Sequence, residues 1–227
     1  MQHYFSHRIS GDVAVEDIVA TMKELVDAGK VRYLGFSECG AKTLRAASRV
    51  HPIHAYQIEY SPFSMDIHQR SAEGGQTLYE TCKELGVAVV AYSPIGRGLL
   101  TGQIKSIDDF EAGDFRRTMP RFSPENFGKN MELVGALRSI AERKGCTSGQ
   151  LTLAWAMKQD LVFPIPGTTK IANLEENLGA AAVYQTLTDE EQKEITGVIQ
   201  KAEVHGTRYA AQFMGLLMRD APSKEDK

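Results

Sequence analysis

Basic runs, long apolar runs and paired cysteines are all missing from this sequence. Lys and Arg number 26 against 29 Asp and Glu, a formal net charge of -3, with no stretch where positive charge gathers. Nucleic acid is therefore not an expected partner. The apolar runs fall far short of the ~20 residues that a membrane-spanning helix needs. The opening segment, MQHYFSHRIS, has no apolar centre of the secretory kind, so a cytoplasmic chain without membrane contact is expected. Cys39, Cys82 and Cys146 are odd in number and scattered. Neither a disulfide framework nor a metal site is suggested, and each is expected to be a free, buried thiol.

What is present suits a folded domain. Of the 227 residues, 42% are apolar and 24% charged, enough for a core and too apolar for disorder. Neither an internal repeat nor a linker interrupts the chain. The expected organisation is one domain over residues 1–220, followed by a disordered tail over 221–227. Strand-like runs occur at residues 4–8, 31–37, 55–59, 87–91 and 161–165. Helical patterns alternate with them, at 15–26, 41–49, 77–85, 130–144 and 171–181. Thr77, Thr147 and Thr188 open helices, the latter two with Gln150 and Glu191 three residues on as capping boxes. Gly29, Gly86 and Gly145 stop helices. The stretch 103–128 is long and turn-rich, with Arg116, Arg117 and Arg121, as expected of a lid or binding segment. Residues 204–219 are weakly patterned.

This alternation calls for an α/β fold with a parallel sheet and right-handed crossovers. Five strands fit either an open doubly wound sheet or a large piece of an eight-stranded barrel, and periodicity does not decide between them. The stretch 87–102, VAVVAYSPIGRGLLTG, is the most informative. Its β-branched run reads as a strand buried on both faces. It delivers Tyr92 and then a loop punctuated by Gly96, Gly98 and Gly102. Glycines allow a backbone to approach a bulky anion closely, and the N–H groups of such a loop cradle phosphate. An ordinary strand and turn is the alternative.

Several motifs, in order and spacing, resemble those of the aldo-keto reductases. They are Ser6-His7-Arg8, Gly29-Lys30-Val31-Arg32-Tyr33-Leu34-Gly35, Gln57-Ile58-Glu59-Tyr60-Ser61, the 92–102 loop, and Pro164-Ile165-Pro166-Gly167-Thr168-Thr169-Lys170 with Glu176-Asn177-Leu178-Gly179. The likeness is to the fungal and plant NADPH-dependent members and the pyridoxal reductase-like group. It implies a partial (β/α)8 TIM barrel, with about five of the eight βα units present. It also implies NADPH (NADP) as cofactor, without metal or flavin, and a small-molecule aldehyde or ketone as substrate.

By this resemblance His7 is the active-site histidine that hydrogen-bonds the carbonyl. Ser37 and Gln57 hold the nicotinamide carboxamide, and Tyr92 stacks on the ring. Glu38 stands where the family often has Asn and is given no role. Ser93, Pro94, Gly96, Arg97, Gly98 and Leu99 belong to the pyrophosphate cradle, to which Arg97 adds charge. Thr168, Thr169 and Lys170 read the 2'-phosphate, and hydroxyls, helix N–H groups and an ammonium suit a dianion. Glu176 and Asn177 lie near the adenine. His51, His54 and His68 match nothing catalytic and read as surface residues.

The departure from the family lies at the start. There, three βα units precede the histidine strand and supply an Asp, a proton-donating Tyr and a Lys. Here Met1 stands just before that strand, and no Tyr of the chain matches the donor. The expected reading is an N-terminally truncated aldo-keto reductase. A catalytically inert nucleotide-binding or interaction protein of the same descent is the alternative. A third reading is an open-sheet nucleotide binder with other chemistry.

Overall fold

The computed structural model describes residues 1–70 and 75–224. Five strands alternate with helices: β1 (His3–Ser6), α1 (Val15–Asp27), β2 (Tyr33–Ser37), α2 (Ala41–Val50), β3 (Ile53–Glu59), α3 (Leu78–Leu85) and β4 (Ala88–Tyr92). Then come α4 (Pro124–Lys144), α5 (Ser148–Met157), β5 (Val162–Ile165), α6 (Ile171–Thr186), α7 (Asp189–Lys201) and a short α8 (Ala211–Met214). The sheet order is β1-β2-β3-β4-β5, and the strands are parallel. A doubly wound sheet reverses its strand order at a switch point, whereas successive units of a (β/α)8 barrel add side by side. The strictly sequential order is the barrel's. It decides between the two architectures that periodicity left open.

Where the sequence reads as one domain, the contacts of the chain cluster into two compact units. Met1–Ile58, Asp66–Val90 and Gly215–Lys227 form the first, Glu59–Met65 and Ala91–Met214 the second. In the first unit α1 buries Val15, Val19 and Met22, one stripe at helical spacing, and β2 is buried from Leu34 onward. Gly35 lies opposite Phe5 in the β1–β2 register, and a Cβ there would sit 2.4 Å from the Phe5 ring. Cys39 and Cys82 are free and buried, whereas Cys146, in the second unit, is free and only half-buried. Burial pushes the Cys82 thiol up to about 12 and raises that of Cys39 as well. His51, His54 and His68 are half-buried rather than on the surface; His54 and His68 pack against Tyr33 and Tyr79, and burial lowers the pKa of these two.

In the second unit α5 is buried all round, not along one stripe. Its Trp155 stacks on Tyr60 at 5.5 Å and donates to Thr196 Oγ1 at 3.1 Å. Capping boxes form at Thr147 and Thr188, as one does at Thr77 in the first unit. Helix α4 begins at Pro124, not Asn130. Proline is tolerated in a first helical turn, where its missing N–H has no helical partner to lose. Helix α6 runs past residue 181 to Thr186.

The expected disordered tail is corrected over residues 221–224, while residues 225–227 lie outside the described residues. Ala221 and Ser223 are buried. Gly40 N donates to Arg219 O and Val15 N to Pro222 O, each at 2.9 Å. Asp220 Oδ1 accepts from Thr43 N at 2.9 Å and Thr43 Oγ1 at 2.8 Å. The N-cap of α2 is Gly40, which has no side chain to cap with, and the first turn of α2 holds no acidic residue. Asp220 supplies both the acceptor and the negative charge from a distance. Gly40 is what admits it, since a Cβ there would lie 2.3 Å from the same carboxylate oxygen. Loss of a cap of this kind costs about 1–2 kcal/mol. Asp220→Ala is expected to lower unfolding stability by that amount in urea, and Asp220→Asn by less.

Candidate functional site

The sequence-predicted residues fall into two groups, one in each unit. In the first unit, Ser37 closes β2 and pairs in register with Gln57 of β3. Register partners on adjacent strands project to one face of the sheet, so the hydroxyl and the amide stand side by side. Ser37 is buried and Gln57 half-buried. His7 follows β1 directly and is exposed. Because Ser6 is paired with Phe36, His7 and Ser37 are the next positions along the two strands.

Glu38, given no role from the sequence, has a left-handed φ of +52° and a buried carboxylate. Its N–H donates to Gln57 O at 3.1 Å, and Arg8 Nη1 lies 3.7 Å from its Oε2. The residue after His7 is thereby paired with the residue after Ser37. Tyr56 donates to the Cys39 carbonyl at 2.7 Å and steadies the same turn.

In the second unit, Tyr92 ends β4, half-buried, with its hydroxyl 3.3 Å from that of Tyr209. The following loop turns through positive φ at Ser93, Gly96, Arg97 and Gly98. It forms tight 3-10 turns over Gly96–Thr101 broken at Arg97 and Gly98. Pro94, Gly96 and Leu99 are buried. Arg97, which the resemblance gives as adding charge to the cradle, is held by protein partners. Its Nη2 donates to Glu59 Oε2 at 2.7 Å, and its guanidinium lies 4.9 Å from the Tyr209 ring centre. Burial works against this cation, and the Glu59 carboxylate with Tyr209 more than offsets it, so its pKa is raised.

A cavity of about 880 Å³ opens on this loop. Ser93, Pro94, Arg97 and Gly98 line it, facing Thr168, Thr169 and Lys170. The structure thus brings the predicted cradle and the predicted 2'-phosphate readers to one space. A smaller cavity of about 40 Å³ takes Glu176 and Asn177, along with Thr168. Glu176 accepts from Thr147 Oγ1 at 2.8 Å, and its carbonyl from Gln150 Nε2 at 3.0 Å. Thr168 Oγ1 accepts from Lys170 N at 3.1 Å. Lys170 is the N-cap of α6 with no side-chain capping bond, and the first turn of α6 has no acidic residue. Its leading N–H groups and the exposed Lys170 favour an anion. Among the described residues no group of three His, Cys, Asp or Glu side chains could hold a metal ion. Among them, too, no helix is long and apolar enough to cross a membrane.

Sequence reasoning named Arg116 and Arg117 within the 103–128 segment but not their part in holding the cavity wall in place. Arg116, which also lines the cavity, donates to the Arg97 carbonyl at 3.0 Å and forks onto Asp114. Arg117 donates to the carbonyls of Ile107 and Phe110. The turn-rich segment is therefore tied down by its own arginines.

Glu59, 1% exposed, faces Arg97 at 2.7 Å, Arg121 at 3.7 Å and Arg208 at 3.9 Å, and Ser64 donates to it at 3.0 Å. An acidic residue closing the strand-like run at 55–59 was the available signal. Removing one partner from a buried ion cluster typically costs about 3–5 kcal/mol, because the remaining charges stay buried. Glu59→Gln is expected to destabilise the chain by that amount in urea unfolding, well beyond an exposed Glu→Gln control such as Glu175→Gln.

The Aldo/keto reductase family model matches residues 1–200. The chain is 50% identical over 220 residues to an aldo-keto reductase of Strobilurus tenacellus, str7. It is 46% identical over 220 residues to the aldo-keto reductase yakc [NADP(+)] of Schizosaccharomyces pombe. Each match takes 96% of this chain and 63% of the relative, so the chain spans less than two thirds of the length of these curated relatives. A thermostable aldo-keto reductase solved with the inhibitor epalrestat superposes with a TM-score of 0.63 at 26% identity, over 87% of this chain and 60% of that one. A glycerol dehydrogenase of Gluconobacter oxydans shares the fold at a TM-score of 0.73 and 20% identity, over 92% and 62%. With its motifs, sequential parallel strands and these matches in agreement, the chain belongs to the aldo/keto reductase family.

Proposed function

We propose that the chain carries the NADPH-binding residues and the histidine of a carbonyl reductase. The observation that carries this is the cavity shared by the 93–98 loop and Thr168–Lys170. Its donors are backbone N–H groups, hydroxyls, Lys170 and Arg116, a set suited to phosphate. A reduced nicotinamide, when bound, supplies a hydride to a carbonyl carbon.

Each unit has its own share of the work. In the second, the loop after β4 takes the diphosphate, and Thr168, Thr169 and Lys170 take the 2'-phosphate. Glu176 and Asn177 lie toward the adenine, and the Tyr92 ring offers an apolar face for stacking. In the first, the Ser37 hydroxyl and Gln57 amide orient a carboxamide, and His7 donates a hydrogen bond to a carbonyl oxygen. The family's proton donor is a tyrosine outside the motifs this chain matches. A second reading, a nucleotide-binding protein without turnover, draws on that same observation.

Two measurements test these readings. Lys170→Ala is expected to weaken NADPH by about tenfold, the loss of one charge-assisted contact, and to leave NADH within about twofold. Equal loss for both would remove the 2'-phosphate role from Lys170. With a reactive aldehyde, the 227-residue chain alone is expected to bind NADPH with little turnover. Supplying the portion of the S. tenacellus relative that the chain does not match should raise turnover, and His7→Ala should then lower it. NADPH binding with no turnover in either mixture would favour the second reading.

A further inference from the structure

Tyr209 lies in the weakly patterned stretch, where no motif marks it, yet the backbone before it is firmly held. Asn130, 1% exposed on α4, donates to the His205 carbonyl at 2.8 Å and accepts from His205 N at 2.9 Å. Gly206, at φ +83°, lies against the 120–121 backbone, where a Cβ would come within 2.7 Å of the Pro120 carbonyl oxygen. Arg208 is 3% exposed and faces Glu59 at 3.9 Å. Thr207 Oγ1 then donates to the carbonyl of Tyr209 itself at 2.7 Å. These contacts set where the Tyr209 ring can go.

The ring lies under the Arg97 guanidinium at 4.9 Å, and its hydroxyl meets the Tyr92 hydroxyl at 3.3 Å. Glu59 also holds Arg97, at 2.7 Å. A continuous series therefore runs from Glu59 through Arg97 and Tyr209 to Tyr92. Tyr92 ends a strand and is half-buried, and a bond at its hydroxyl restrains the tilt of the ring's long axis. Stacking depends on that tilt.

We infer that Tyr209 is a positioning residue for Tyr92, holding its ring at the angle that receives the nicotinamide. This rests on the proposed role of Tyr92 as the stacking platform. Tyr209 itself does not line the cavity at Thr168–Lys170, to which the 2'-phosphate end is assigned in this reading.

The test compares NADPH with adenosine 2',5'-bisphosphate, which has the 2'-phosphate and no nicotinamide, by titration of the 227-residue chain. Tyr209→Phe is expected to weaken NADPH by about three- to tenfold, the worth of one neutral hydrogen bond, and to leave the bisphosphate within about twofold. Tyr92→Phe should do the same. The double variant should lose less than the sum of the two single losses, because both changes remove the shared Tyr92–Tyr209 bond. In ligand-free protein the same pair should be non-additive in urea unfolding.

A wild-type chain that binds both ligands, with Tyr209→Phe unchanged, overturns the inference alone. Parallel loss of both ligands in Tyr209→Phe overturns it in favour of a general structural role. Additive losses in the double variant show that the hydroxyls do not act through each other and overturn it too. A wild-type chain that binds neither ligand overturns the cofactor reading, and this inference with it.

Discussion

The Glu59 carboxylate is the constraint on which the second unit depends. A carboxylate removed from water is costly unless opposite charge and hydrogen bonds replace its hydration. Here Arg97, Arg121 and Arg208 stand around it and Ser64 donates to it. The three arginines come from three separate places in the chain: the loop after β4, the turn before α4 and the segment after α7. A buried cluster of this kind contributes little to net stability over an apolar substitute. What it does is join three loops that sequence distance would otherwise leave independent. Each loop's position becomes conditional on the other two.

The first unit uses the same device on a smaller scale. Glu38 follows β2, carries positive φ and is buried beside Arg8, which follows His7. Both carboxylates sit at or just past the carboxyl end of a strand, and both hold an arginine from another βα loop of their own unit. Strained backbone at Glu38, Ser93 and Arg97 persists only where surrounding structure over-determines it. The ion pairs and the hydrogen bonds to the loop carbonyls provide that. Side chains that must meet a ligand are thereby carried on turns fixed before any ligand arrives, which lowers the ordering cost of binding.

Local chemistry was legible in the sequence, and long-range pairing was not. The Thr–x–x–Gln/Glu boxes at Thr147 and Thr188 and the glycines after α3 and α4 place helix ends because their partners lie within a few residues. The 93–98 loop and the Thr168–Lys170 group were singled out through motif resemblance, and geometry brings them to one cavity. By contrast, the α2 cap comes from Asp220, 177 positions from Thr43. The partner of Arg97 lies 38 positions away, and the partner of Tyr92 lies 117 positions away. Nothing in composition or periodicity connects such pairs. The start of α4 was hidden for another reason, since Pro124 and Gly128 both read as turn residues while Phe127 between them is buried in the helix.

Within the proposed reading, rigidity and discrimination are assigned to different parts of the cavity. The 93–98 wall is tied through Arg97 to Glu59 and through Arg116 to Asp114. It would meet the diphosphate, which NADH and NADPH share, so its stiffness serves affinity for either. Thr168, Thr169 and Lys170 are exposed, ahead of a helix whose first turn has no acid of its own. They would meet the one group that differs between the two cofactors. An ammonium on a flexible stem in water adds little to a neutral ribose hydroxyl and much more to a dianion. Choice between cofactors then rests on charge at the exposed edge, and the buried arginine cluster leaves that choice untouched.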